Sequence, residues 1–156
     1  MRDVLERKTY MKLTFKKVRE GAIIPSAATK LSAGLDLHAC ITEPVTIMPG
    51  EIVNFPTGVA VCPEREDVVM LIFMRSGLGR KHGLSLPNSV GVIDSDYRGE
   101  MSVPIINLGK EPYTMVPGER FAQLVTMPVI YPEVEEADEL PETERGTSGF
   151  GSSGRL

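Results

Sequence analysis

The chain contains no run of eighteen consecutive apolar residues, so a membrane-spanning helix is not expected. Its start shows no charged-then-apolar leader ending in small residues, so export is not expected either, and a cytoplasmic location is. Cysteine is scarce: Cys40 and Cys62 sit in apolar-rich segments without metal-ligand spacing to His38 or His82. They read as reduced thiols in or near the core. Positive charge is not in excess, and a formal net charge of −4 argues against a nonspecific grip on duplex nucleic acid, which needs a basic face.

What is abundant is punctuation. Twelve prolines and fifteen glycines break the 156 residues into short runs. These runs include "KLTFKKV", "VTIMPGEIVNFPTGVAV", "VVMLIFM", "MSVPIINL" and "FAQLVTMPVIY", with turn signals between them. This rhythm predicts an all-β sandwich or jelly roll of one domain, long enough to bury a core without staples. One short helix is expected, within "SGLGRKHGL". The division expected is an N-terminal extension (residues 1–10), a β-core (11–132), an acidic Pro-broken connector (133–144) and a Gly/Ser-rich tail (145–156). By composition that tail is either a flexible end or a mobile flap carrying Arg145 and Phe150.

Four segments carry groups suited to chemistry. In "SAGLDLHA", Asp36 stands between two leucines, either as a turn or edge residue or as a carboxylate aimed at a cation or water. In "MRSGLGRKHGL", an apolar run ends in Arg75, Ser76 and Gly77 and turns into the one expected helix. A Ser hydroxyl, a guanidinium and backbone N–H groups there suit an anion, although Arg75 pairing with an acid is the plainer use. In "NSVGVIDSDYRGEMSV", two β-like arms read as a hairpin joined by "DSDYRG". If a slot opened between the arms, backbone groups and Asn88 would meet the edge of a nucleobase, Tyr97 a sugar, and Asp94 an attacking water. In "PGERFAQLV", Arg120 suits a structural ion pair or a ligand, and Gln123 a phosphate. With Arg75, Arg80, Arg98, Arg120 and Arg145 all in Gly-containing turns, a small polyphosphate fits better than a polymer.

Taken in order, "AGLDL", "RSGLG", "GVIDSDYRGE", "GERFAQ" and "RGTSGFGSSG" resemble the five motifs of the trimeric dUTPase family in its bacterial form. The resemblance implies a jelly-roll β-barrel with a flexible C-terminal arm and a homotrimer whose sites gather segments of three chains. It implies hydrolysis of dUTP to dUMP and pyrophosphate by attack of water on the α-phosphorus, which keeps uracil out of DNA and supplies dUMP for thymidylate synthesis. By that resemblance Asp94 is the general base, and Asp36 holds a water of a Mg²⁺ ion chelated by the phosphates. Arg75, Ser76, Gly77 and Gln123 contact phosphates, Asn88 with Gly91, Val92 and Ile93 reads uracil, and Tyr97 underlies deoxyribose. Arg145 binds the γ-phosphate, Phe150 stacks on uracil, and Gly151 and Ser152 close over the phosphates. Arg120 becomes structural. Ser148 and Ser153 depart from the family pattern, as does Ser102, another candidate substrate contact. The alternatives are a dCTP deaminase, alone or combined with the diphosphatase, a dUTP-responsive interaction module, and a plain structural β-module. Neither a nucleic-acid nor a membrane partner is expected.

Overall fold

A computed structural model describes residues 11–149. The short runs become twelve strands: β1 (Leu13–Lys17), β2 (Ser26–Ala27), β3 (Leu35–His38), β4 (Val45–Ile47), β5 (Ile52–Pro56), β6 (Val59–Pro63), β7 (Val68–Met74), β8 (Leu84–Ser85), β9 (Gly91–Ile93), β10 (Ser102–Asn107), β11 (Tyr113–Met115) and β12 (Arg120–Pro128). A single helix among the described residues, α1 (Ser76–His82), follows β7. Three basic residues, Arg80, Lys81 and His82, fill its last turn, where the helix dipole favours them.

Why these runs are strands shows in β7. Val68, Met70 and Ile72 are buried, and the residues between them are half-buried, as a period of two dictates for a sheet with a core on one face. Strand β10 alternates likewise, with Val103, Ile105 and Asn107 buried. Pro104 cannot donate to a ladder, and it falls on the part of β10 that β8 leaves unpaired, since β8 meets only Ile106 and Asn107.

All the ladders are antiparallel. The largest sheet runs β2-β3-β12-β7-β9, beside β5-β10-β8 and the pairs β1-β6 and β11-β4. Between them lies one apolar cluster drawn from both larger sheets, including Leu37, Phe55, Met70, Ile72, Met101, Ile105, Phe121 and Leu124. Phe55 and Phe121 are fully buried, with ring centroids 5.8 Å apart in a tilted arrangement. Cys40 packs at the edge of this cluster, and both cysteines are free and half-buried.

One expectation is corrected. The arms of "NSVGVIDSDYRGEMSV" do not form a hairpin: β9 pairs with β7 (Leu71 opposite Val92), whereas β10 pairs with β5 and β8. The segment 94–101 is therefore an arch that carries the chain from one sheet to another. The physical reason is the core: Met101, Val103 and Ile105 are all buried, which commits β10 to the second sheet, while β9 takes the free edge of β7.

A polar knot closes the far end. Asn107 is completely buried, and its Nδ2 donates to the carbonyls of Ile47 (3.0 Å) and Glu111 (2.8 Å) while its Oδ1 accepts from Gly109 N–H (2.8 Å). Asn107→Ala leaves three backbone groups without partners. At about 1 kcal/mol or more each, the expected loss is about 3 kcal/mol, read as a shift of the urea midpoint.

Candidate active site

Asp36 lies on β3, only 8% exposed, opposite Gln123 of the central strand β12. A carboxylate so placed needs cationic partners, and two arrive from neighbouring strands. Arg75, the first residue after β7, brings its Nε to 3.1 Å from Asp36 Oδ1, and Arg120 brings Nη1 to 3.0 Å from Oδ2. Arg75 Nη1 also donates to the carbonyl of Arg120 at 3.2 Å, which joins the two arginines. The register of β12 against β3 shifts between Arg120 and Ala122. This bulge buries Phe121 and Ala122 in succession and sets the strand's first residue, Arg120, beside Asp36.

Beside this cluster opens a cleft of about 330 Å³ lined by Ser32, Gly34, Asp36, Arg75, Ser76 and Gln123. Gly34 is required there by close approach, since a Cβ would lie 2.7 Å from Gln123 Oε1. Gln123 Nε2 donates to the carbonyl of Met74 at 3.4 Å. Arg75 and Ser76 also line a second cleft of about 380 Å³, which continues over Gly77, Lys81, His82, Glu119 and Arg120. Glu119 is anchored by the hydroxyl of Tyr113 and by Val116 N–H (3.1 Å), and burial together with Glu119 pushes the Tyr113 hydroxyl pKa well up. Cationic side chains and helix-start N–H groups make this side of the molecule suited to an anion.

The arch carries the second group. Asp94 is exposed and its carboxylate has no hydrogen-bond or ion-pair partner among the described residues, so it is free to take a proton. It lines a cleft of about 520 Å³ with Ser95, Asp96, Arg98, Glu66 and Tyr131. Strand β9, carrying Gly91, Val92 and Ile93, is the last of its sheet and leaves its outer edge unpaired, and exposed Asn88 precedes it. Tyr97 is 44% exposed, and Ser102 is exposed at the start of β10. Among the described residues, none lines both the Asp94 cleft and either of the two clefts beside the Asp36 cluster.

The arginines do not gather in one chain as a polyphosphate site would need. Arg75 and Arg120 meet on Asp36, Arg98 donates to the carbonyls of Ser95 (2.7 Å) and Tyr97 (3.0 Å), and Arg80 lines none of these clefts. Arg145 is exposed in a turn where Gly146 N–H donates to the Thr143 carbonyl and Ser148 N–H to its own. Ser148 has ordinary negative φ; Ser89, beside Asn88, is the non-glycine residue at positive φ (66°) among those described. Phe150, Gly151 and Ser152 lie outside the described residues, as does Ser153.

The dUTPase family model matches residues 20–154. The chain belongs to the dUTPase family. Among curated relatives, the deoxyuridine 5′-triphosphate nucleotidohydrolase of Coxiella burnetii (strain Dugway 5J108-111) is 48% identical over 145 residues, covering 93% of this chain and 95% of the relative. That of Aeromonas salmonicida (strain A449) is 48% identical over 132 residues, covering 85% and 87%. Among solved structures, the Staphylococcus bacteriophage 80alpha dUTPase with dUPNHPP has a TM-score of 0.83 at 30% identity, over 92% of this chain and 99% of that one. A mutant dUTPase from phage phi11 of S. aureus, described with a structural Mg(II) ion, has a TM-score of 0.74 at 27% identity, over 82% and 97%. The fold is the jelly-roll β-sandwich of dUTPases, and the activity that goes with membership is that of a hydrolase, dUTP to dUMP. The deaminase reading is not favoured.

Sequence reasoning did not single out Glu66 and Tyr131, which join the Asp94 cleft because the Tyr131 hydroxyl donates to the Glu66 carbonyl at 2.7 Å. They are 65 residues apart, and nothing local to either announces the meeting. In the sequence, His38 is notable only for lacking metal-ligand spacing to the cysteines. It stands opposite Arg120 with its Nδ1 buried and unpartnered, and no group of three or more metal-ligating side chains occurs among the described residues.

Burial pushes the His38 imidazole pKa below its ordinary 6.5; Asp36 opposes this, while Arg120 and Arg75 reinforce it. The folded state therefore favours neutral His38. Its contribution to stability is present in full above pH 6.5 and is lost as the pH falls through the folded value. Urea midpoints measured from pH 7.5 down to 5 should fall more steeply for the wild type than for His38→Gln.

Proposed function

We propose that this dUTP-hydrolysing chain directs water at the α-phosphorus of dUTP, with Asp94 as general base and dUMP and pyrophosphate as products. The observation that carries the base assignment is the unpartnered, exposed Asp94 carboxylate on an arch beside an open strand edge. Water adds to the α-phosphorus, its proton passes to Asp94, and the bond from that phosphorus to the bridging oxygen breaks as pyrophosphate leaves. Nothing covalent forms on the protein, so the rate rests on positioning and on charge.

The nucleobase edge meets Asn88 and the backbone of Gly91, Val92 and Ile93, and the Tyr97 ring lies under the deoxyribose, where a 2′-hydroxyl would clash. Ser102, exposed two residues after Glu100, is assigned a substrate contact with less chemistry behind it. Arg75, Ser76, Gly77 and Gln123 take the phosphates. Arg120 is spent on Asp36 and on Arg75, which it steadies. Arg145 reaches the γ-phosphate, and the closing tail supplies Phe150, Gly151 and Ser152.

A Mg²⁺ ion is part of this reading. Asp36 is one carboxylate already shared by two guanidiniums, and no group of three or more metal-ligating side chains accompanies it among the described residues. The donor set fits an ion carried on the substrate's phosphates, with Asp36 facing a water of its hydration shell. When bound, such an ion neutralises phosphate charge.

The two groups line clefts that have no residue in common. We assign the active form to a homotrimer in which the Asp94 arch of one subunit meets the Arg75 cleft of another and the tail of the third closes over both. This arrangement is supported by clefts that share no residue and by the exposed Ile130, Val134 and Leu140 of the segment after β12.

Pyrophosphate release from dUTP, dCTP, dTTP and UTP tests the reading. Asp94→Asn should lose about 10²- to 10⁴-fold in kcat while still binding dUTP, and truncation after Glu144 should lose most turnover. An equally fast truncated chain removes the tail from the mechanism, and binding without turnover in the wild type turns the chain into a dUTP-responsive module. Refolding Asp94→Asn together with Arg75→Ala in equal amounts should restore about a quarter of wild-type activity if each site takes those residues from different subunits. Activity no higher than that of either variant alone would place them in one chain.

A further inference from the structure

Tyr97 is half-exposed on a turn, yet a ring that discriminates sugars by contact has to be held in place. Its one side-chain hydrogen bond among the described residues runs from the hydroxyl to the main-chain carbonyl of Glu100 at 3.1 Å. The ring folds over Gly99, where a Cβ would collide with the hydroxyl and Cζ. The position of the ring is therefore the position of the Glu100 peptide.

The peptide itself is held by Met101 N–H, which donates to the Val59 carbonyl at 3.0 Å, and the residue around it is held from three further directions. Arg19, just past β1, donates Nε to both Glu100 carboxylate oxygens (2.7 and 2.9 Å), and Gly58 N–H, in the turn between β5 and β6, donates to Oε1 (2.9 Å). Val18 N–H to Gly58 carbonyl (2.8 Å) ties those two segments together. The next residue, Met101, is fully buried, its carbonyl accepting from the Thr57 hydroxyl at 2.7 Å. The Glu100 carboxylate pKa sits below the usual range, through its bond to Arg19 and, more weakly, that to Gly58, with burial opposing.

We infer that Arg19 and Glu100 are positioning residues for sugar selectivity, holding Tyr97 at the height that admits deoxyribose and rejects ribose. The inference rests on Tyr97 underlying the sugar, as proposed above. Arg19 touches no substrate in this arrangement. Without it the Glu100 side chain keeps only Gly58 N–H, and the peptide that carries the carbonyl keeps only its Met101 N–H bond to the Val59 carbonyl, so the ring rests on a support with fewer anchors.

The test is the ratio of kcat/KM for dUTP to that for UTP in wild type, Arg19→Ala, Arg19→Lys, Glu100→Gln, Tyr97→Ala and the Arg19→Ala/Tyr97→Ala double variant, each checked for folding by thermal melting. Tyr97→Ala should lower the ratio by at least about tenfold and Arg19→Ala by about three- to tenfold. Arg19→Lys should recover part of the loss. In the double variant Arg19→Ala should add nothing to the Tyr97→Ala ratio, because it acts through that ring. A merely structural Arg19 would lower the melting temperature and leave the ratio at the wild-type value, and that result overturns the inference while leaving Tyr97 in place. Equal, additive losses from the two residues also overturn it. If Tyr97→Ala itself leaves the ratio unchanged, the assignment of the ring to the sugar falls, and the inference falls with it.

Discussion

The carboxylate of Asp36 holds three strands to one geometry. It sits nearly buried on β3, and Arg75 from the end of β7 and Arg120 from the start of β12 converge on its two oxygens. A lone carboxylate at that depth would be costly, and two unpaired guanidiniums so close would repel. Together they make a triad whose members each need the other two. Both clefts on this side border the triad: Arg75 lines both, and Asp36 and Arg120 line one each. The bulge in β12 and Gly34, which leaves room for the Gln123 side chain, serve the same end, because each allows a side chain to stand where a regular ladder would not put it.

Much of this was legible in the sequence. The limits of β7 coincide with the run "VVMLIFM", because that run is apolar throughout and bounded by Asp67 and Arg75. The helix was placed within two residues at its far end. What the sequence did not tell was pairing. The string "DSDYRG" contains turn-forming residues and β-like flanks, which local chemistry alone cannot separate into hairpin and arch. The choice is made by Met101 and Val103 entering a core built from residues far away in the chain. The same limit applies to Glu66 and Tyr131, and to Arg19 on Glu100 across 81 residues. Arg120 was readable both as ligand and as structural, and its bond to Asp36 shows the structural role in use.

The distribution of function over this surface is uneven in a way the fold explains. Groups suited to phosphate cluster where β3, β7 and β12 end, on the largest sheet. Groups suited to a base, a sugar and a proton lie on the arch and on the edge of β9. Within one chain these two sets of groups line separate clefts.

The arch has one foot on each sheet. Asp94 follows β9, which hangs on β7, and Tyr97 leans on a residue adjoining β10, which belongs to β5. The distance between the Asp94 carboxylate and the Tyr97 ring is therefore a caliper reading of how the two sheets are packed. A shift of one sheet against the other changes that distance while every ladder is still intact.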